Sequence, residues 1–158
     1  MSIVAADLIF YGAASRVSDD VSTVGGAIDT TDRPEFTQFT ANALPAIASD
    51  GADTRNVTIE GRNAGGAIIS ETNALNGAAE VVFAATYERL LTITIASTSA
   101  SRTVTVKQGS GGTTRATIGL NEATRTALFR RSASEGSQAV RYEKQFALNN
   151  HGSLALLN

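Results

Sequence analysis

Arg-Asn-Val-Thr-Ile-Glu-Gly-Arg-Asn-Ala-Gly-Gly-Ala-Ile-Ile-Ser-Glu-Thr, residues 55–72, is the stretch that decides the fold class. Two later runs repeat its pattern: Leu-Leu-Thr-Ile-Thr-Ile-Ala at 90–96 and Thr-Val-Thr-Val at 103–106. Apolar and hydroxyl residues alternate with a period of two, so an extended chain turns Val57 and Ile59 to one face and Thr58 and Glu60 to the other. Ile93 and Ile95 oppose Thr92 and Thr94 in the same way, as Val104 and Val106 oppose Thr103 and Thr105. Between the first two runs, Gly61-Arg62-Asn63-Ala64-Gly65-Gly66 is a cluster of turn formers suited to a hairpin. Paired strands are expected over 55–61 and 67–73.

Working outward, the spacing predicts a first strand or docking arm from the apolar residues Ile3, Val4, Leu8, Ile9, Phe10 and Tyr11, then a long polar loop over 15–33. A loop of that length in a small domain carries a function or is disordered, and the apolar Val24 and Ile28 favour ordering against a neighbour. A strand is expected over 34–41, and an irregular or edge strand over 43–48, since Pro45 lacks an N–H for a ladder. Asp50–Thr54 and Asn76-Gly77 read as turns, 79–85 as a buried strand, and Tyr87 as the start of a strand to 96. Further strands are expected over 102–108, 113–118 and 138–148. Asn121–Arg125 reads as a loop or one helical turn. The apolar 154–157, with Leu154 and Leu156, looks like a strand that needs a partner. Short strands at 8–12-residue spacing, with no βαβ alternation, predict an all-β sandwich of jelly-roll or immunoglobulin-like form. The expected organisation is an extended N-terminal arm and loop, 1–33, and a sandwich domain, 34–158.

Composition excludes several functions. The 158 residues hold no Cys and no Trp, one His and a formal net charge of −2. There is no thiolate chemistry, no disulfide, and no overall attraction to nucleic acid or an anionic membrane. The N-terminus lacks a basic signal-peptide start, and no run reaches the ~20 apolar residues of a membrane span. Charged residues make up 18%, below the about 25% usual for a domain, while Ala, Gly, Ser and Thr are abundant. That balance suits either a partner-covered surface or Thr-rich solvent faces.

No catalytic constellation emerges. Gly109-Ser110-Gly111-Gly112 lacks the Lys-Ser/Thr of a phosphate loop and reads as a hairpin loop. His151 has no assignable Ser or carboxylate partner. Asp29, Asp32, Asp50 and Asp53 read as turn and capping residues rather than a calcium site. Glu60 and Glu71 sit on the two hairpin arms as solvent-facing residues. Arg125, Arg130, Arg131 and Arg141 suit inter-subunit ion pairs. No catalytic residue, cofactor, metal or small-molecule substrate is expected.

The segment Val57–Thr72 with Leu75-Asn76-Gly77, followed by Tyr87-Glu88-Arg89 and a Thr/Val strand, resembles a hairpin pattern of tailed-bacteriophage virion proteins. The opening Asp19-Asp20-x-Ser22-Thr23-x-Gly25-Gly26-Ala27-Ile28-Asp29 and the Tyr142-Glu143-Lys144 to Asn149-Asn150 segment resemble such proteins too. What the resemblance implies is a particle component, most like a capsid decoration or cement protein. Such a protein would be made in the host cytoplasm, lie on the virion surface, and form a dimer or trimer against the major-capsid-protein lattice, without enzymatic activity. A ring-forming tail or head–tail joining protein is the alternative within virions, and a carbohydrate- or host-binding sandwich is the alternative outside them. Partner contacts are expected at Ile3, Val4, Leu8, Ile9, Phe10, Tyr11, Ile28, Leu154 and Leu156. The chain's end at Leu157-Asn158 departs from the resemblance, where a further strand would follow.

Overall fold

The computed structural model describes residues 8–14, 26–34, 37–98, 101–127 and 145–150. Ile3, Val4, Arg130, Arg131, Arg141, His151, Leu154, Leu156, the expected strand over 154–157 and residues 138–144 of the strand expected over 138–148 lie outside them. The described residues form twelve strands: β1 (Leu8–Ala13), β2 (Ile28–Asp29), β3 (Asp32–Arg33), β4 (Pro45–Ser49), β5 (Asn56–Arg62), β6 (Ile68–Ala74), β7 (Val81–Val82), β8 (Arg89–Ile95), β9 (Val104–Gln108), β10 (Thr114–Ile118), β11 (Thr124–Thr126) and β12 (Phe146–Asn149). Three sheets result, with orders β3-β11-β8-β5-β6, β10-β9-β4-β7 and β12-β1-β2.

The first two sheets face each other as the expected sandwich. Val57, Ile59, Ile93 and Ile95 from one meet Ile47, Val104, Val106 and Ile118 from the other in a single buried cluster. Phe83, Tyr87 and Leu75 complete it. Burial of such side chains is the main stabilising term, about 1.5–3 kcal/mol each. The period-two pattern survives: from Val57 to Arg62, β5 alternates between buried and half-buried positions. Its hydroxyl partners line the outer face, where Thr72, Thr58, Thr94 and Thr124 fall in register across four strands.

The hairpin is confirmed, but its turn is shorter than the glycine cluster suggests. Asn63 accepts from Gly66 N–H through its carbonyl and from Gly65 and Ala67 N–H through its side chain. Gly66 takes φ +79°, open to glycine without cost. Gly61 belongs to β5, where the register shifts against β8. A Cβ there would overlap the Arg89 carbonyl and stand 2.6 Å from the Tyr87 ring.

Five expectations are corrected. The loop expected over 15–33 holds two short strands in its described part, β2 paired with β1 and β3 with β11. Pro45 begins an interior strand, β4, between β9 and β7; at the first position its missing N–H costs no ladder bond, and its carbonyl accepts from Phe83. Residues 37–41 are not a strand. The Gln38 side chain makes both ladder bonds instead, accepting from Leu90 N–H and donating to Leu90 O. The strand expected over 79–85 shrinks to Val81–Val82, with Val82 exposed and only Phe83 deeply buried. Asn121 takes φ +62°, which ends the helical option and leaves a turn before β11.

Candidate partner interface

The third sheet brings distant parts of the chain together. β1 pairs antiparallel with β12, Leu8 opposite Asn149 and Tyr11 opposite Phe146, and on its other side with β2, Ala13 opposite Ile28. Directly opposed residues in an antiparallel pair share a face. Ile9, Tyr11 and Ala13 therefore lie on the same face as Leu148, Phe146 and Ile28, and every one of them is apolar. Phe10 and Ala147 lie on the other face.

Such a face normally meets a second layer. Here Leu148 is 43% exposed, Ile28 38% and, on the opposite face, Phe10 48%. Ala13 is buried, and Ile9, Tyr11 and Phe146 are half-buried. Of the expected contact residues, the structure thus gathers Leu8, Ile9, Phe10, Tyr11 and Ile28 into one sheet. Phe146 and Leu148 join them. Their alternation over 138–148 is visible in the sequence, but nothing in it shows that they pair with β1.

The charged side chains act within the fold. Asp53 receives Arg55 through both carboxylate oxygens, at 2.6–3.1 Å, and the guanidinium holds its carboxyl below the usual range. Asp29 caps a turn by accepting from the Thr31 N–H and hydroxyl. Glu71 is not solvent-facing in function: its carboxylate reaches the backbone N–H groups of Ala84 and Ala85 at 2.8–3.1 Å. Burial opposes its ionisation, yet these bonds and the Asn73 amide outweigh burial and lower its pKa. Glu60 and Glu71 fall on opposite faces of the hairpin, since Glu71 is opposite Ile59, so they form no carboxylate pair. Glu80 binds Lys107 at 2.6 Å, Ser110 Oγ and Gly111 N–H, and its pKa falls to about 2.

Arg125 is buried and pairs with Glu122 within the chain, which corrects the inter-subunit role expected for it. Glu122 also accepts from Arg33 at 3.4 Å and Gly119 N–H at 2.6 Å. These groups border an open cleft of about 460 Å³ along one side of the sandwich, with Arg115 and Leu120. Its ion pairs tie β3 and β11 to the preceding turn. Among the described residues, no three His, Asp or Glu side chains converge as metal ligands, and no helix is long and apolar enough to cross a membrane.

Fold and surface together define a β-sandwich carrying a small apolar sheet at its side. Comparison with protein-family models, with curated proteins and with solved structures finds no match.

Proposed function

We propose that this chain is a non-enzymatic structural component of a tailed-phage virion, decorating the capsid and stabilising it by binding across junctions of the major capsid protein. The observation that supports this reading best is the exposed apolar sheet β12-β1-β2, with Phe10, Ile28 and Leu148 uncovered. The sequence resemblance supplies the class of partner. Each of the three side chains is roughly half exposed, so covering it contributes on the order of 1 kcal/mol. One copy would then hold weakly, and a lattice would be held by many copies acting together.

The test is occupancy on capsids assembled from the major capsid protein encoded in the same genome. Phe10→Asp and Leu148→Asp alter exposed positions and leave the sandwich core untouched. The expected result is at least a tenfold loss of occupancy with an unchanged melting temperature. Full occupancy by both variants would remove the terminal sheet from the interface, and failure of the unaltered protein to bind any capsid would remove the decoration reading itself.

A further inference from the structure

The outer edge of β6 is a second surface, made of backbone. Among the described residues β6 ends its sheet, paired on one side with β5 alone. Asn63 N–H donates to Ala67 O and Leu75 N–H to Arg55 O, both at 3.0 Å. Antiparallel ladders alternate, so the odd-numbered residues 67–75 spend their backbone groups on β5. The N–H and C=O of Ile68, Ser70, Thr72 and Ala74 therefore point away from the sheet, and all four residues are exposed.

The other edges of the sandwich are short or covered. β3 and β7 have two residues each. β10 is interrupted by a register shift, and Thr37 N–H caps its Arg115 carbonyl. Natural sheets guard long edges with Lys, Pro or a bulge. β6 has none of these over seven residues, and its one charge, Glu71, is turned to Ala84 and Ala85.

We infer that β6 pairs antiparallel with β6 of a second copy, about a two-fold axis at Thr72. Three features make the edge complementary to itself. The threonine row Thr124–Thr94–Thr58–Thr72 runs to the edge, with Thr58 and Thr72 hydroxyls already bonded at 2.8 Å; the two-fold continues it across the junction, and cross-strand Thr pairs are favourable. This register sets Glu71 opposite the partner's Asn73, a carboxylate beside an amide of the kind it already binds at 3.0 Å within the chain. A register centred one residue earlier would set two Glu71 carboxylates face to face. Ser70 opposes the partner's Ala74, so about six ladder hydrogen bonds form. The contact is narrow against the about 1,200–2,000 Å² of a stable interface, so dimerisation is expected on the order of 100 µM. The inference uses no residue of the terminal sheet and stands apart from the capsid reading.

The chain contains no cysteine, which makes the test direct. Thr72→Cys is expected to give a disulfide-linked dimer on mild oxidation far faster than Ser110→Cys, an exposed position in the β9–β10 loop. Thr72→Pro removes an outward N–H and the exposed hydroxyl bond to Thr58, and should give a folded monomer by sedimentation velocity at concentrations where the unaltered chain dimerises. Thr72→Lys, which keeps the backbone intact, sets two like charges together and should monomerise at low salt. Equal cross-linking at positions 72 and 110, a monomeric unaltered chain at millimolar concentration, or a dimer that survives Thr72→Lys would each overturn the inference.

Discussion

The phenol of Tyr87 donates a hydrogen bond of 3.1 Å to the carbonyl of Ile59, joining the segment that crosses between the sheets to an interior strand. Tyr87 is fully buried and bridges Ala43 through its backbone. Burial, and then the nearby negative charge of Glu71, push its pKa up to about 12, so it remains a donor at every ordinary pH.

Tyr87→Phe keeps the packing and loses one hydrogen bond, at an expected cost of about 1 kcal/mol. Tyr87→Ala also opens a cavity, and about 3–5 kcal/mol is expected by analogy with large aromatic truncations. Urea unfolding separates the two. Equal losses would mean that the hydroxyl bond, not the ring, dominates.

Gly61→Ala drives a methyl group against the Tyr87 ring and the Arg89 carbonyl. A loss of about 1–3 kcal/mol is expected, with a melting temperature lower by about 2–4 °C per kcal/mol. In the background of Tyr87→Ala the ring clash is gone, and the cost of Gly61→Ala should shrink while the backbone clash persists. Strict additivity in that double variant would contradict the contact.

Glu71→Ala leaves the Ala84 and Ala85 N–H groups without their acceptor. About 1–2 kcal/mol is expected, most of it from the half-buried Ala85, and Glu71→Gln should recover part. Calorimetric melting of both variants at pH 7 checks the order.

Acid should weaken the fold through three carboxylates whose native pKa values are depressed: Asp53, Glu71 and Glu80. A depressed group stabilises above its unfolded pKa and loses that contribution as pH falls through the native one. For Glu80 the window runs from 4.5 down to about 2. Glu80→Gln is expected to lower the melting temperature at pH 7 and to flatten its fall across that window, so the two curves converge near the acid end. Parallel curves would show that Lys107 and Ser110 do not favour the ionised form.

Glu122→Ala removes the carboxylate that the buried Arg125 binds through Nη2. Removing one partner of a buried ion pair costs about 3–5 kcal/mol. Arg125→Met should cost less, because Glu122 keeps Arg33 and the Gly119 N–H, and the double variant Glu122→Leu/Arg125→Met should cost less than the sum. An additive double-mutant cycle would show the pair to be uncoupled.

The hairpin, the sandwich and the apolar first strand were legible because period-two alternation reports directly on which face is buried. Where the reading failed, a side chain had taken over backbone work. Gln38 supplies ladder bonds that no local pattern encodes, and Glu71 does the same for Ala84 and Ala85. Pro45 misled in another way: the rule against proline in a ladder holds, but its first position in β4 escapes the rule. The pairing of β1 with β12 was illegible since it joins residues near opposite ends of the sequence. The candidate surface was therefore half visible, as Leu8–Tyr11 and Ile28 without Phe146 and Leu148.

That same pairing sets the order in which the molecule comes apart. Leu8 meets Asn149 only after nearly the whole chain has been looped back, and closure of long loops is entropically costly. The hairpin Asn56–Ala74 closes within a few residues. Local opening draws on the elements with the fewest buried contacts, so amide hydrogens of β1 and β12 should exchange with solvent well before those of β5 and β8. The terminal sheet is then expected to unzip while the sandwich stays folded, and whatever covers its apolar face would register first as a slowing of that exchange.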